Sequence, residues 1–143
     1  MSGAITFRPA TRQDAVAILR LEEACMRGYA EALWGCWYPS QTAATLDLRG
    51  FEMIEAEGLF IGCVACEWHS DHLRVRKLYI LPAFQGRGIG AMVLASKRRA
   101  AAARDMPIRL TVLNSNPDAK RFYEREGLSV AEVTEERTLL CSQ

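Results

Sequence analysis

The sequence predicts a mixed α/β fold. Runs that alternate like strands and runs with a helical period follow one another in the order strand, two helices, three strands, helix, strand, helix, strand. The chain has 143 residues, of which 50% are hydrophobic, and this matches the usual size of one domain with its own core. We therefore expect residues 1–143 to form a single domain.

The first part of the chain predicts a strand followed by helix. Residues 5–8 alternate like a strand, and Thr11, with an acidic residue three positions later, is typical of a helix N-terminus. Apolar residues then recur at helical spacing up to Gly28, which we interpret as the end of the helix. Residues 29–38 are rich in aromatic side chains, and we expect them to form a second helix or a loop.

A change of period divides the rest of the chain. Three strand-like runs separated by turn residues predict an antiparallel meander over residues 51–55, 59–68 and 73–80. After Pro82, apolar residues on one helical face predict a helix from residue 89 to about residue 104. The remaining pattern predicts a strand at 108–113, a helix at 117–126 and a last strand within 130–140.

The overall charge argues against partners that are recognised through a long-range field. The chain has 18 Lys and Arg against 17 Asp and Glu, a formal net charge of +1. Such a charge does not recruit nucleic acid or an anionic membrane, so any phosphate binding must be local. The sequence has no leader-like start and no apolar run long enough to cross a bilayer, so we expect a cytoplasmic protein.

The five cysteines do not follow a secreted disulfide pattern. Cys63 and Cys66 have the C-x-x-C spacing, but they lie in a strand-like run, where positions three apart point to opposite faces. The sequence has no second such pair and no suitably spaced histidines to complete four ligands. We therefore expect reduced thiols and no metal.

Residues 85–90, with the sequence Gln-Gly-Arg-Gly-Ile-Gly, predict a phosphate-binding turn. They follow a strand and open a helix, where backbone N–H groups are unpaired and glycines allow close approach. Arg87 is placed to add a charge-assisted contact. The glycine spacing differs from the dinucleotide fingerprint, and no Lys-Ser or Lys-Thr pair follows, as a P-loop requires.

A second motif begins at Asn116. Asn116, Pro117 and Gly127 suit the N-cap, first turn and end of a short helix, and this role explains all three residues. It does not explain Tyr123. Phe122 and Tyr123 are about 100° apart around a helix, so Tyr123 can lie at the edge of the core with its hydroxyl free if Phe122 enters it.

Together these two motifs resemble the GNAT acetyltransferase superfamily. The first resembles its Q/R-x-x-G-x-G/A signature, with Gln85, Gly88 and Gly90 in the specified places. The second resembles its N-x-x-A-x-x-F-Y-x-x-x-G-F/L stretch at Asn116, Ala119, Phe122, Tyr123, Gly127 and Leu128. Dense matching covers residues 78–128, and the element order fits residues 5–128. The resemblance implies a single-domain fold in which antiparallel strands precede a splayed parallel pair, residues 73–80 and 108–113.

The resemblance also implies an activity, transfer of an acetyl group from acetyl-CoA to a primary amine of a small molecule or peptide. By resemblance, the CoA pyrophosphate is bound by Gln85, Gly86, Arg87, Gly88, Ile89 and Gly90. Asn116 and Ala119 are implied to contact the cofactor nearby. Leu78, Tyr79 and Ile80 are implied to line the gap that admits the pantetheine arm, whose amides pair with open strand edge.

The implied catalytic groups are the backbone N–H of Ile80, which stabilises the oxyanion, and Tyr123, near the thioester sulfur. A tyrosine is a weaker acid than a thiol, so we expect Tyr123 to stabilise the departing thiolate by a hydrogen bond with partial proton transfer. Trp34, Trp37 and Tyr38 lie where the family forms its acceptor wall, although aromatic residues of this kind are more often core.

The general base is where the sequence departs from the family. Some relatives place Glu or His at positions matching Arg74 and Arg76, and an arginine cannot act as a base at neutral pH. Glu67 is the candidate substitute, with His69 and His72 as further candidates and water as the alternative. Arg74 and Arg76 share a strand face, so they are candidates to bind a carboxylate of the acceptor.

Two other functions remain open at the level of sequence. A non-catalytic acyl-CoA-binding regulatory domain would keep the phosphate-binding turn without an effective base. A nucleotide-binding module is the weaker alternative, because its glycine spacing would differ. The sequence also leaves open a homodimer.

Overall fold

The structure is a computed structural model that describes residues 4–39 and 41–143. The strands are β1 (Ile5–Pro9), β2 (Phe51–Ala56), β3 (Leu59–Trp68), β4 (Leu73–Ile80), β5 (Ile108–Leu113), β6 (Ser129–Val133) and β7 (Arg137–Cys141). The helices are α1 (Ala15–Trp34), α2 (Ile89–Ala102) and α3 (Pro117–Arg125). Within the described residues, no helix is both long and apolar enough to cross a bilayer.

One seven-stranded sheet organises the molecule, in the order β1-β2-β3-β4-β5-β7-β6. Neighbouring strands pair antiparallel, except for β4 and β5, which are parallel. The predicted mixed α/β class and the antiparallel meander β2-β3-β4 are therefore confirmed.

Two hydrophobic clusters lie on opposite faces of the sheet. One contains the buried side chains of α1, and the other contains those of α2, with aromatic residues of α3 packed against it. Cys63 belongs to the α1 cluster, whereas Cys66 packs against the cluster under α2. This separation confirms that the C-x-x-C pair does not point to one site.

The prediction that the first helix ends at Gly28 was wrong. The helix α1 continues through residues 29–34 and ends at Gly35, whose φ of 80° is left-handed and whose N–H donates to the Glu31 carbonyl. A glycine inside a helix costs only about 1 kcal/mol, which packing of the helix against the sheet readily offsets. The buried Ala30 lies beyond Gly28 on the packed face.

The prediction of one final strand was also wrong, because residues 129–141 form the hairpin β6-β7. Its turn has no glycine, proline or asparagine to signal it. Instead, the amide of Asn114 donates to the carbonyls of Thr134 (2.8 Å) and Glu135 (3.1 Å). A contact of this kind, 20 residues or more along the chain, is invisible to a local pattern.

The parallel strands β4 and β5 separate soon after they meet. They pair only where Leu73 and Arg74 lie beside Ile108 and Arg109, and no pairing continues toward Ile80. The rest of both facing edges is therefore left without a strand partner. A gap opens between them, and the splayed parallel pair implied by the family resemblance is present.

Candidate functional site

A cavity of about 1430 Å³ occupies the gap between β4 and β5. Its wall is built from α1, from β4 and the loop that follows it, from the start of α2, from β5 and from α3. Arg137 of β7 completes it. The cavity therefore reaches both faces of the sheet and meets the two regions that resemble the family motifs, residues 85–90 and 116–128.

The loop after β4 presents a row of unpaired backbone N–H groups. A short turn uses the N–H of Phe84 and of Gln85, which donate to the carbonyls of Leu81 and Pro82. The next backbone N–H with an acceptor is that of Met92. Within the described residues, the six intervening amides, residues 86–91, have no acceptor. They lie at the N-terminus of α2, where the helix dipole also favours an anion.

Glycine is needed in this loop for two different structural reasons. Gly86 and Gly88 have φ values of 76° and 78°, which disfavour any other residue, and a Cβ at either position would meet open space. Gly90 instead lies inside α2, where a Cβ would be 3.4 Å from the Phe122 ring. The first two shape the loop, and the third lets α2 approach α3.

Two side chains of the loop, those of Gln85 and Arg87, contact other groups of the protein. The Nε2 of Gln85 donates to the Ile80 carbonyl at 2.9 Å, so this side chain fastens the loop to the end of β4. The Arg87 guanidinium lies 5.2 Å from the centroid of the Phe84 ring and does not line the cavity. The unpaired polar groups that the loop presents to the cavity are thus its backbone amides.

Helix α3 presents Asn116 and Tyr123 to the cavity. The Oδ1 of Asn116 accepts from the Ala119 N–H at 3.1 Å, which is the predicted N-cap. The Tyr123 ring packs edge-on against Phe122, with centroids 5.0 Å apart. Burial raises the pKa of Tyr123 to about 12. Within the described residues, its hydroxyl has no hydrogen-bond partner.

The backbone at the end of β4 directs the Ile80 N–H toward the gap. The N–H of Leu81 donates to the Ile61 carbonyl on β3, and successive residues of a strand use opposite edges. The Ile80 carbonyl accordingly accepts from groups on the other side, Gln85 Nε2 and the Cys25 thiol. The register shift of β4 lies at Arg76, four residues before Ile80.

On the α1 face of the sheet, a carboxylate lines the cavity that the sequence pattern did not single out. The Oε2 of Glu22 accepts from Lys77 Nζ at 2.5 Å and from the Tyr79 hydroxyl at 3.1 Å. The Glu22 side chain is only 15% exposed. A signal did exist, because Glu22 follows Ile18 by four residues and so carries a charge on the apolar face of α1.

Comparison with known proteins identifies the family. The family model for the acetyltransferase (GNAT) domain matches residues 48–127, more than half of the chain. The chain therefore belongs to the GNAT acetyltransferase family. An uncharacterized N-acetyltransferase of Methanocaldococcus jannaschii is 30% identical to this GNAT chain over 141 residues. The match covers 90% of the chain and 62% of the relative, so the chain spans less than two thirds of that protein's length.

Solved structures share the GNAT fold. The PaiA N-acetyltransferase of Thermoplasma acidophilum, crystallised in complex with coenzyme A, matches with a TM-score of 0.75 at 16% identity, over 98% of this chain and 99% of its own. An acetyltransferase of Thermus thermophilus matches with a TM-score of 0.75 at 21% identity, over 99% of this chain and 98% of its own. At these identities the likeness shows the fold alone.

The GNAT cavity brings together most of the site residues predicted from the sequence. Those that line it are Trp34, Trp37, Arg74, Arg76, Leu78, Tyr79, Ile80, Gln85, Gly86, Gly88, Ile89, Gly90, Asn116, Ala119 and Tyr123. Arg87 and Glu67 do not line it.

The structure does not bring the predicted base, Glu67, to the cavity. Its Oε1 lies 2.7 Å from His69 Nε2, and the His69 ring stacks on that of His72 at 4.4 Å. Neither histidine lines the cavity. The reason is that Glu67 belongs to β3, which is separated from the gap by β4, and its side chain is exposed beside the β3-β4 turn.

The two arginines proposed to bind a carboxylate have different surroundings. Arg76 donates to the Arg49 carbonyl at 3.0 Å and lies over the Phe51 ring, 5.7 Å from its centroid. Arg74 is exposed and, within the described residues, has no hydrogen bond or ion pair. Arg74 is thus the more available of the two.

The aromatic residues at the end of α1 form one rim of the cavity. Trp34, Trp37 and Tyr38 line it, and Tyr38 is 82% exposed. The Trp34 indole N–H donates to the Glu136 carboxylate, and the Arg137 guanidinium lies over the Trp34 ring. The end of α1 is therefore joined to the β6-β7 turn across the cavity mouth.

Proposed function

We propose that the chain transfers an acetyl group from acetyl-CoA to a primary amine of a small molecule or peptide. The observation that carries the proposal is the row of unpaired amides at residues 86–91 beside the open edges of β4 and β5. A pyrophosphate suits the amides, and an extended arm with amide groups suits the strand edges. Among common metabolites, CoA combines these two features.

The donor side of the cavity, defined as residues 85–91 and α3, would bind acetyl-CoA. Backbone N–H groups of residues 86–91 would hold the pyrophosphate, with Gln85 keeping the loop in place through Ile80. The Nδ2 of Asn116 remains available to the pantetheine arm, because the cap uses Oδ1. Leu78, Tyr79 and Ile80 would line the arm along β4.

The reaction begins when the neutral amine attacks the thioester carbonyl. The Ile80 N–H, directed into the gap, would donate to the oxyanion that forms. Tyr123 would donate to the thiolate that leaves. Since burial raises the pKa of Tyr123 to about 12, complete proton transfer to a thiolate is unfavourable, and hydrogen bonding with partial transfer is the expected role.

The acceptor side, defined as α1 with the α1 face of β4 and Arg137, would bind the amine substrate. Trp34 and Trp37 would contact the remainder of the amine substrate. Arg74, and to a lesser degree Arg76, would attract a carboxylate on the acceptor, because neither forms an ion pair within the described residues. We therefore expect amines that carry a carboxylate to be better acceptors than polyamines.

The test is a CoA-release assay of the intact chain with amino acids, polyamines, aminoglycosides and short peptides. Release of free thiol that depends on one amine class, with an acetylated product of matching mass, is the expected result. Saturable acetyl-CoA binding without thiol release across the panel would instead favour a non-catalytic acyl-CoA-binding domain, which the arginines at positions 74 and 76 also fit. Tighter binding of ATP than of acetyl-CoA would overturn both.

A further inference from the structure

The proposed reaction needs a group to take a proton from the amine, and Glu67 does not reach the cavity. Among the described residues, the cavity wall contains two carboxylates, Glu22 and Asp118. The Asp118 side chain is 80% exposed, pairs with Arg121 and belongs to α3 on the donor side. Glu22 is the largely buried carboxylate on the acceptor side.

Helix α1 crosses the gap beside the end of β4. The Cys25 thiol lies 3.5 Å from the Ile80 carbonyl, and the Tyr29 carbonyl accepts from the Ser115 hydroxyl at 2.7 Å, just beyond β5. Glu22 precedes Cys25 by three residues, so it lies on the same helix face with a rise of about 4.5 Å along the axis. Glu22 is thus close to the end of β4 at which the Ile80 N–H enters the gap.

One oxygen of Glu22 remains available. Both protein contacts, from Lys77 and from Tyr79, use Oε2. Within the described residues, Oε1 has no partner, yet it is not among the buried polar atoms that lack one. It is therefore accessible. The two contacts hold the carboxylate in one orientation, which a proton acceptor requires.

We infer that Glu22 is the catalytic residue that binds the attacking amine through Oε1 and takes its proton. This inference rests on the proposed acetyl transfer. The acceptor enters as the neutral amine, having lost its extra proton to solvent. Its nitrogen forms the C–N bond to give the oxyanion, one N–H proton passes to Glu22, and the C–S bond then breaks as the thiolate leaves with a hydrogen bond from Tyr123. Glu22 then returns the proton to solvent, and the thiolate acquires one, so the products are the amide and free CoA.

The titratable groups around Glu22 are Lys77 and Tyr79 of β4, Cys63 of β3 and Cys25 of α1. Burial raises the pKa of the Cys25 thiol, and burial together with the Glu22 charge raises that of Tyr79. Neither group loses its proton near neutral pH. In this cluster the carboxylate of Glu22 is therefore the proton acceptor.

The experiment compares Glu22→Gln with Glu23→Gln in the intact chain, using the best amine from the CoA-release panel. Glu23 is the matched control, because it is adjacent, exposed and paired with Arg27 on α1. We expect Glu22→Gln to lower kcat/KM for the amine by about 100-fold or more, with the Kd for acetyl-CoA unchanged. Glu23→Gln should match the unsubstituted chain.

A Glu22→Gln variant that keeps the kcat/KM of the unsubstituted chain would overturn the inference while leaving acetyl transfer intact. If this variant fails to fold, Glu22→Asp decides the matter, since it keeps the charge beside Lys77 but withdraws the carboxylate by one methylene. A loss of about tenfold or more in kcat/KM supports the inference, and an unchanged value overturns it. Absence of turnover in the unsubstituted chain overturns the proposed function and this inference together.

Discussion

The donor side and the acceptor side of the cavity are built in different ways. On the donor side, the groups proposed to bind the anion are backbone amides of one continuous stretch, residues 86–91, shaped by two glycines with positive φ. On the acceptor side, the polar groups are side chains that come from α1, β4 and β7. Glu22 meets Lys77 and Tyr79, which are 55 and 57 residues away in sequence.

This difference explains which part of the site a sequence can predict. A loop that presents backbone amides is recognisable as a short sequence motif, because glycines must occupy fixed positions and a helix must follow. A side-chain cluster has no such motif. Its members become neighbours only when α1 is laid across the sheet. Substitutions on the donor side should therefore alter cofactor handling, and those on the acceptor side should alter the amine.

After Glu22→Gln, the largest loss of activity is expected for Tyr123→Phe, because Tyr123 would lie beside the thiolate that leaves. Tyr123→Phe removes the hydroxyl that would stabilise the thiolate, so kcat should fall by roughly 100-fold. The KM for acetyl-CoA should change little, because the ring remains. Tyr38→Phe, at the exposed rim, is the control and should leave kcat within about twofold. Unaltered turnover in Tyr123→Phe would contradict the role of Tyr123.

A smaller effect is expected at Gly88, which tests whether the loop conformation matters for binding. Gly88→Ala forces a Cβ into a left-handed conformation, at a cost of about 1–2 kcal/mol, and should raise the Kd for acetyl-CoA about tenfold. Gly58→Ala is a matched control, because Gly58 has a φ of 79° and open space around it but lies in the β2-β3 turn. Calorimetric titration should show equal affinity for Gly58→Ala and the unsubstituted chain. A similar loss in both variants would mean that strain, not the loop, lowers affinity.

The smallest effect is expected at the start of α1, on which the acceptor side depends. Asp14 accepts two hydrogen bonds from Arg8 and one from the Thr11 N–H, and the Arg8 guanidinium is the main cause that lowers its pKa to about 2. Asp14→Asn should lower the free energy of unfolding by about 1 kcal/mol at pH 7. Affinity for acetyl-CoA should not change.

The pH dependence of this effect has a defined sign. Because the folded pKa of Asp14 is lower than its unfolded value of about 3.9, its contribution is present above that value and is lost as the pH falls toward 2. The difference in urea midpoint between Asp14→Asn and the unsubstituted chain should shrink over this range. Asp47→Asn is the control, since Asp47 also pairs with an arginine but at the exposed surface, and it should have little effect at any pH.

Much of the fold was predicted correctly from the sequence. The wrong predictions have one physical cause, contacts between residues that are distant in sequence. The bounds of β3, β4 and β5 were predicted residue for residue, because strand period and turn residues are local signals. The end of α1 was not, since packing carries the helix past Gly28. The hairpin β6-β7 was not, since Asn114 holds its turn from a distance.

The residues of the candidate site fall into the same two groups, those recognisable from local sequence and those that depend on distant contacts. Glycines at positions 86, 88 and 90 and the cap at Asn116 were recognisable from spacing alone. Glu67 was the base suggested by nearness in sequence to β4, and it lies outside the cavity. Glu22 was overlooked because its partners are on another element. Its charge on the apolar face of α1 is the one sequence feature that would have identified Glu22 as a candidate site residue.

The most direct test of acyl-CoA binding by this loop is amide hydrogen exchange at residues 86–91, followed by NMR with and without saturating acetyl-CoA. In the free chain these amides have no acceptor within the described residues, so they should exchange fast. We predict strong protection of several of them by acetyl-CoA and no protection at the Gly58 turn. Saturating acetyl-CoA that leaves the exchange of residues 86–91 unchanged would contradict the account.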